Sequence, residues 1–393
     1  MVRLGDVFPY IRNGASIKQN EKISGFPITR IETIADGNIN RNRMGYAGIK
    51  KIEPYSSYIL QDGDILMSHI NSVKHLGKVA RYIRLGDECI IHGMNLLNLR
   101  VDNKQLNSVF AYYFLSSYYF KKQLPNITKN SVNQSSFNIT ALKELQMPLP
   151  SLPRQHKMAE ILSYTNNLIE KRKDQIKKLD LLVKALFVAM FGDPVTNPKG
   201  WEEKLLGDCG SFKNGINYCQ LNDGMVIKCI GVGDFGQLYR IDDLHGISEI
   251  YLSSEPSEEF ILKDHDIIFV RSNGNKELVG RSVEVFPREE KITFSGFCIR
   301  YRNENENLLT VYLNHVLHLP SIKTKLLIDG RGANIQNINQ RTLSSLRVPL
   351  PPLPLQTRFA EIVQQIDKGR FVMQEGLTKL ELTYKALMQQ YFG

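Results

Sequence analysis

The strongest constraint on the fold of this chain is an internal sequence repeat. The block Leu145–Ile161, which reads LQMPLPSLPRQHKMAEI, recurs as Leu346–Ile362, which reads LRVPLPPLPLQTRFAEI. The same offset of 201 residues continues without a gap to Phe191-Gly192 and Phe392-Gly393. A match of this length at a constant offset indicates a tandem duplication, so the fold must contain two equivalent halves.

Each copy begins with about 150 residues of mixed character. Short β-branched and aromatic runs alternate with Gly, Asn and Asp, a pattern that predicts strands with a few helices and therefore an α+β fold. The runs predicted as strands are Pro27–Ile34, Asp64–His69, Lys78–Ile83 and Ile267–Arg271, and the run predicted as a helix is Val109–Leu124.

A proline-rich connector and a long proline-free segment complete each copy. The prolines of Pro148–Pro153 and Pro349–Pro354 predict extended connectors, and a long helix is predicted after each of them. The repeat therefore divides the chain into a mixed domain at 1–154, a long helix at 155–192, a second mixed domain at 193–355 and a second long helix at 356–393.

Both long segments carry apolar residues in a heptad pattern. In the first, positions 162, 169, 176, 183 and 190 are Leu, Ile, Ile, Val and Met, and this pattern predicts coiled-coil helices. If the helices pair antiparallel, a pseudo-twofold axis relates the copies. A helix of about 36 residues spans roughly 54 Å, and successive major-groove faces of DNA lie about 34–36 Å apart. This architecture would suit a DNA binder with two different reading domains.

Composition narrows the class of protein. The 393 residues carry a net charge of +10, and the five cysteines are widely spaced, as expected of reduced thiols in a cytoplasmic protein. No stretch approaches 18 uninterrupted apolar residues, so we expect neither a membrane anchor nor a signal peptide. The charge is uneven: residues 1–155 sum to +9 and residues 193–355 to −3. A basic-surface argument for a polyanion partner therefore supports the first copy alone.

The sequence offers no convincing catalytic motif. The only Pro-Pro pair, Pro351-Pro352, lies in the connector and lacks the preceding polar residue and following aromatic residue of an amino-methyltransferase loop. Gly231–Gly236 matches G-x-G-x-x-G, but the residues that follow it lack helical periodicity, so the prediction is a turn. His315 and His318 have the spacing of helical neighbours without a nearby third metal ligand, so we interpret them as ordinary helix residues.

Two pairs of acidic residues also recur. Asp62 and Asp64 correspond to Asp264 and Asp266. Paired carboxylates could hold a metal, but their recurrence in both copies favours a turn before a core strand. We therefore predict no metal, cofactor or catalytic residue in this chain.

The duplicated Pro-Leu-Pro-x-Leu-Pro-x-Gln…Ala-Glu-Ile block, each time followed by a long helix ending in Phe-Gly, resembles the specificity (S) subunit of type I restriction–modification enzymes. The resemblance covers the whole chain. It implies two target recognition domains that each read one half of a bipartite site on double-stranded DNA, with the long antiparallel helices setting the gap between half-sites.

The resemblance also implies partners. Two modification subunits would methylate adenine N6 with S-adenosylmethionine, and two ATP-driven restriction subunits could join them. S-adenosylmethionine, ATP and Mg²⁺ would be bound by those partners, and no membrane is involved. Three alternatives stay open: a methylation-only or orphan system, a self-contained adenine methyltransferase, and a coiled-coil scaffold that binds only proteins.

Basic and amide residues cluster in loops at corresponding places of the two copies. Arg, Asn and Gln side chains pair with base edges. The residues expected to hold phosphates instead are Arg41, Arg43, Lys50 and Lys51. The predicted DNA contacts of the first copy are Arg41, Arg43, Lys50, Lys51, His69, Asn71, Lys74, Lys129, Asn133 and Gln134, and those of the second are Arg271, Asn273, Asn275, Lys276, Arg331, Asn334 and Gln336. The aromatic run Tyr112–Phe120 is predicted to pack within its domain rather than to stack on bases.

Overall fold

The chain divides into two compact units in the computed structural model. The residues described are 1–18, 24–131, 134–218, 224–236, 238–275, 277–329 and 337–393. Unit 1 is Met1–Lys173 together with Glu375–Gly393, and unit 2 is Asp174–Gln374. Each long helix contributes residues to both units, so the two compact units do not coincide with the four segments predicted from the repeat. The boundaries of those four segments stay a prediction.

Unit 1 combines short strands with short helices and the start of the first long helix. Its strands are β1 (Val2–Arg3), β2 (Tyr10–Asn13), β3 (Ile65–Ser68), β4 (Ile70–Asn71), β5 (Val79–Arg81), β6 (Leu96–Arg100), β7 (Lys129–Asn130), β8 (Ser135–Ser136) and β9 (Gln146–Met147). Its helices are α1 (Leu4–Val7), α2 (Ser108–Ser116), α3 (Tyr118–Lys121), α4 (Ile139–Glu144) and α5 (Leu152–Phe191), the last of which continues into unit 2.

Unit 2 has the same kinds of element. Its strands are β10 (Glu202–Leu205), β11 (Gly210–Asn214), β12 (Met225–Ile230), β13 (Arg240–Ile241), β14 (Glu249–Leu252), β15 (Asp266–Val270), β16 (Ser282–Val285), β17 (Ile292–Phe294), β18 (Cys298–Asn303) and β19 (Arg347–Leu350). Its helices are α6 (Thr310–Leu317), α7 (Pro320–Asp329), α8 (Gln340–Ser344) and α9 (Leu353–Phe392), whose end belongs to unit 1.

The two units repeat one sheet topology. Unit 1 contains the sheet β2-β6-β3-β5, and unit 2 contains β11-β18-β15-β16-β13. Ile65 lies opposite Leu99 in the first sheet, and Ile267 lies opposite Tyr301 in the second, an offset of 202 residues on both strands. The duplication therefore extends to strand order and register, which confirms the predicted α+β fold with an internal repeat.

A buried ion pair recurs at the same place in both sheets. The guanidinium of Arg100 binds both carboxylate oxygens of Asp64 at 2.7 and 2.8 Å, and Arg302 binds Asp266 in the same way at 2.8 and 2.7 Å. Both aspartates are almost completely buried. Each carboxylate also accepts the backbone amide three residues before it, at 2.8 Å. The paired acidic residues thus form the turn before a core strand, as predicted.

A buried glutamine fixes the start of each long helix. In α5, the side-chain oxygen of Gln155 accepts the amide of Asn107 at 2.9 Å, and its nitrogen donates to the carbonyls of Gln105 and Pro150 at 2.9 and 2.8 Å. Gln356 makes the equivalent bonds in α9, to the amide of Leu309 and the carbonyls of Asn307 and Pro351, at 2.9, 3.0 and 2.7 Å. Both side chains are fully buried, so these bonds join the helix to its domain without competition from water.

The long helices run antiparallel within each unit. In unit 2, Asp180 of α5 pairs with Arg370 of α9 at 2.8 Å, whereas the later Phe187 packs on the earlier Phe359 with ring centroids 5.4 Å apart. In unit 1, Lys173 pairs with Glu381 at 3.3 Å. The predicted coiled-coil pairing is confirmed. None of the helices in the described ranges combines the length and the apolarity needed to cross a membrane.

Three local expectations are corrected. The long helices begin at Leu152 and Leu353, three residues before the predicted starts, because proline is tolerated in the first turn of a helix. The run Pro27–Ile34 forms two isolated bridges at Ile28, to Gly45 and to Ile91, and a 3-10 turn, not a strand. Isoleucine and threonine spacing there predicted a strand, but no neighbouring strand pairs along the described run.

The predicted aromatic helix is broken into two. Ser117 interrupts Val109–Leu124 because its side-chain oxygen accepts the amide of Phe120 at 3.2 Å and starts a new helix. Phe110 and Phe114 are fully buried and pack on Phe392, with ring centroids 5.3 and 5.8 Å apart. The aromatic run therefore packs within unit 1, as predicted, apart from Tyr118, which is 82% exposed.

The glutamine at the start of α9 gives a stability prediction. Replacing Gln356 with Ala leaves three buried backbone groups without their partner, so we expect the free energy of unfolding of unit 2 to fall by about 2–4 kcal/mol. The single tryptophan, Trp201, lies in unit 2 and reports its urea unfolding by fluorescence. The control is Gln364→Ala, at an exposed position of the same helix. Equal midpoints for the two variants would contradict the role of Gln356.

Candidate nucleic-acid interface

In unit 1, a small three-stranded sheet joins the two loops predicted to contact DNA. β4 pairs with β8 through Ile70 and Ser136, and β7 pairs with the other side of β8 through Lys129 and the same Ser136. Ile70-Asn71 and Lys129-Asn130 are far apart in sequence, and this sheet makes the two segments neighbours. The sequence predicted loops at both places, whereas the structure places Asn71 in β4 and Lys129 in β7.

Unit 2 repeats the junction with different side chains. The amide of Ile338 donates to the carbonyl of Arg271 at 2.9 Å, as the amide of Phe137 donates to the carbonyl of His69 at 3.2 Å. His69 and Arg271 therefore occupy equivalent backbone positions, one residue beyond equivalent core strands. The frame is the same in both units, and the side chains on it differ.

Several predicted contact residues present their side chains to solvent in unit 1. The exposed members of the set are Arg43, Lys50, Lys51, Lys74, Lys129 and Gln134. Lys129 lies in β7, and Lys74 lies in the 3-10 turn that follows β4. An exposed ammonium group at such a place suits contact with phosphate oxygens, which position a protein on a duplex without reading its sequence.

The two arginines at the start of the set are already paired. Arg41 binds both carboxylate oxygens of Glu88, and its hydrogen bonds hold the pKa of Glu88 at about 2. Arg41 thereby ties its 3-10 turn to the loop after β5, and a phosphate would have to displace Glu88. Arg43 pairs with Asp36 at 2.9 Å across an exposed contact, which contributes little energy and can exchange for a phosphate.

His69 and Asn71 are placed differently from the prediction. His69 is only 6% exposed, and burial lowers its pKa. Its ring meets Phe137 edge-on with ring centroids 6.3 Å apart, so it is a packing residue rather than a surface reader. The half-buried Asn71 donates to the hydroxyl of Ser68 at 3.3 Å and accepts the amide of Ser72 at 2.8 Å, which keeps its amide turned toward its own loop.

In unit 2, asparagine side chains order the loop that follows Arg271. The oxygen of Asn273 accepts the amide of Asn275 at 2.8 Å, and the oxygen of Asn275 accepts the amide of Glu277 at 3.0 Å. Both bonds use amide oxygens, so a base edge would meet the NH₂ donors, which suit acceptors such as guanine O6 and N7. The guanidinium of Arg271 donates to the carbonyl of Gly296 at 3.4 Å.

Five predicted contact residues lie outside the described residues. They are Asn133, Lys276, Arg331, Asn334 and Gln336.

The glycine run and the two histidines have the local structures that the sequence predicts. Gly231–Gly236 forms a turn in which the amide of Gly231 donates to the carboxylate of Asp234 at 2.8 Å, and the described residues between this turn and β13 form no α-helix. His315 and His318 stack on Tyr239, and burial lowers the pKa of each imidazole to about 4. Among the residues that the structure describes, no cluster of three or more His, Cys, Asp or Glu could hold a metal ion.

Comparison with known proteins identifies the family to which this duplicated chain belongs. A family model described as the type I restriction modification DNA specificity domain matches twice, at residues 1–178 and 198–382. The chain belongs to the type I restriction–modification specificity family. It is 33% identical to the putative type I restriction enzyme MjaX specificity subunit of Methanocaldococcus jannaschii, over 98% of this chain and 90% of the relative. It is 24% identical to the StySPI specificity subunit of Salmonella potsdam, over 87% and 74% of the two chains.

Solved structures agree at the level of the fold. The S subunit of the type I restriction-modification system from M. genitalium aligns with a TM-score of 0.58 at 17% identity, covering 100% of this chain and 95% of that one. A chain from a structure on complex assembly and conformational transition of the type I R-M system aligns with a TM-score of 0.53 at 16% identity, covering 99% and 96%. The resemblance drawn from the duplicated proline-rich block is confirmed, and specificity subunits are the non-catalytic members of their systems.

The structure adds a residue that sequence reasoning did not select. Phe297 is 63% exposed and lies in the turn before β18, where its carbonyl accepts the amide of Arg271 at 2.8 Å. A single aromatic residue in a turn has no periodicity and no charge pattern. The only available signal was the neighbouring Ser295-Gly296 dipeptide, which marks a turn but no function.

The equivalent loops of the two units give a mutational prediction. Replacing Arg271, Asn273 and Lys276 together with Ala should weaken recognition of one half-site by about tenfold or more, since each base contact is worth about 1–3 kcal/mol. Binding to duplexes altered in one half-site at a time is the measurement. Lys74→Ala with Lys129→Ala in unit 1 is the contrasting variant, because loss of phosphate contacts should weaken binding to all of these duplexes alike. Equal loss at both half-sites in the triple variant would mean that these residues are structural.

Proposed function

We propose that this specificity subunit reads a bipartite, asymmetric site on double-stranded DNA, with one half-site for each target recognition domain. In this proposal it directs methyltransferase subunits, and restriction subunits where the host encodes them, to that site. The chain itself carries recognition and no catalysis. S-adenosylmethionine, ATP and Mg²⁺ are then bound by the partner subunits.

One observation carries the proposal: equivalent backbone junctions bear different side chains. The first domain has His69 at this junction, followed by Asn71, whose side chain bonds to its own segment. The second domain has Arg271 at the same place, followed by a turn that the side chain of Asn273 orders. A homodimeric reader would present identical loops and read a palindrome. Two different readers on one repeated frame instead suit two unlike half-sites.

Exposed apolar residues on the long helices support binding of protein partners. In unit 2, Leu181 and Leu182 of α5 and Phe371 and Val372 of α9 are each more than half exposed. Exposed aliphatic and aromatic side chains on a helix typically mark a surface that another protein covers. We assign these surfaces to methyltransferase subunits, of which the pseudo-twofold repeat would accept two.

Methylation mapping tests this function directly. The chain is co-expressed with its neighbouring methyltransferase gene product, and N6-methyladenine is mapped across host or plasmid DNA by single-molecule sequencing. We expect one new motif made of two unlike half-sites with a fixed gap. Catalytically inactive methyltransferase and omission of this chain are the controls, because neither should give the motif.

If no new methylation motif appears, further measurements distinguish the alternative functions. Assembly of the complex without any new motif would favour an inactive specificity subunit or a coiled-coil scaffold. Binding to a nonspecific duplex that weakens steeply with salt would then exclude the scaffold, since only phosphate contacts give that dependence. Binding of S-adenosylmethionine by the isolated chain would indicate the self-contained methyltransferase instead.

The long helices give a second prediction for this function. If they set the gap between half-sites, inserting four residues, about one helical turn, into one of them should change the spacer length that is methylated. The half-site sequences should stay the same, because no recognition loop is altered. The readout is the same methylation map, and the control is a four-residue insertion in the exposed turn after α5. An unchanged spacer in the helix variant would contradict the ruler role.

A further inference from the structure

A large open cleft lies beside the Arg271 loop of unit 2. Its volume is about 930 Å³, and its walls include Tyr218, Tyr251, Phe297 and Glu249. The three aromatic side chains are 41%, 40% and 63% exposed. The carbonyl of Phe297 accepts the amide of Arg271, so the cleft adjoins the loop already predicted to contact DNA.

The backbone holds the turn that presents Phe297. The amide of Gly296 donates to the carbonyl of Ile216 at 2.7 Å, and the amide of Ser295 donates to the carbonyl of Ile230 at 3.0 Å. A Cβ at Gly296 would lie 2.0 Å from the amide oxygen of Asn217, so the Asn217 side chain would have to move. The ring is therefore exposed on a fixed turn. Leaving a phenylalanine exposed forgoes the stabilisation that its burial would give, and a bound ligand would recover it.

The chemistry of the walls selects among ligands. Neither Lys nor Arg occurs among the described residues that line the cleft, and its one charged group is the carboxylate of Glu249. A phosphate would be repelled there. Aromatic rings stack on nucleobases of any sequence, and a carboxylate accepts hydrogen bonds from the exocyclic amino group of cytosine.

We propose that this cleft receives one nucleobase of the second half-site, displaced from the DNA stack and stacked on Phe297 and Tyr251 with its exocyclic amino group toward Glu249. The inference rests on the proposed function and names a further determinant of its specificity. The base would leave the duplex next to the Arg271 loop, which would hold the flanking base pairs.

The equivalent turn of unit 1 carries different residues. The bridge Ala15↔Gly93 in unit 1 corresponds to Ile216↔Ser295 in unit 2. Asn95 therefore stands where unit 2 has Phe297. The aromatic wall belongs to the second reader, so its loss should affect the second half-site alone.

The test uses the full chain assembled with its methyltransferase and the DNA site found by methylation mapping. Phe297→Ala should weaken binding of that site by about tenfold, in keeping with the loss of one base–aromatic stack. Glu249→Gln should relax the sequence preference at one position of the second half-site. The control is Tyr118→Ala, an 82% exposed aromatic of unit 1, which should leave the second half-site unchanged. All three positions are exposed, and equal thermal unfolding confirms that the variants fold.

A mismatch separates a displaced base from one that stays stacked. Mispairing the affected base lowers the energy needed to extrude it, so the wild-type complex should bind the mismatched duplex several-fold more tightly. Phe297→Ala should lose that gain.

The remaining outcomes distinguish the two proposals. A wild-type complex that selects a bipartite site, with unchanged half-site preference in Phe297→Ala and Glu249→Gln, would overturn the cleft proposal alone. Variants that bind DNA normally but fail to assemble with the methyltransferase would also overturn it, because the cleft would then hold protein. A wild-type complex that selects no site would remove the proposed function itself.

Discussion

Everything in this structure depends on how firmly each long helix is joined to its own domain. A helix can carry a domain as a rigid extension only if the junction does not bend, and extended proline connectors alone would not prevent bending. Gln155 and Gln356 solve this with three bonds each, to one amide and two carbonyls of the connector and the domain. Because both side chains are fully buried, breaking these bonds would leave backbone groups without water or any other partner. The free-energy cost of leaving these backbone groups unpaired therefore keeps the junction in one geometry.

The same logic separates what the repeat keeps from what it changes. The buried pairs Asp64–Arg100 and Asp266–Arg302 recur with almost identical distances, since removing either partner of a buried pair would leave an uncompensated charge. The loops next to them carry no such penalty. A lysine or an asparagine on an exposed turn can be replaced with little effect on folding. Specificity can therefore change at the loops while the frame stays constant.

The sequence predicted the repeated domains and paired helices better than it predicted the surroundings of the candidate DNA-contact residues. A constant offset of 201 residues and the heptads were sufficient to predict two equivalent domains and two paired helices, because duplication and periodicity are properties of the chain itself. The surprises among the predicted contact residues have one common cause. The fate of Arg41 depends on Glu88, 47 residues away, and the burial of His69 depends on the segment around Phe137. A single sequence shows which residue types stand in a loop, but not which partner the fold brings to them. Phe297 was missed for the same reason, since its position became meaningful only beside Arg271.

The two recognition domains also differ in how they can attract DNA. Residues 1–155 carry a net charge of +9, and exposed lysines such as Lys74 and Lys129 lie in or next to the small sheet of unit 1. Residues 193–355 sum to −3, so the second domain cannot rely on long-range attraction to phosphates. It must gain its share of affinity from short-range contacts, which are insensitive to salt compared with counterion release. An exposed aromatic cleft next to an asparagine-ordered loop is the kind of surface that supplies such contacts. The first domain would then contribute most of the salt-dependent affinity, and the second would contribute discrimination among sites that the first has already brought close.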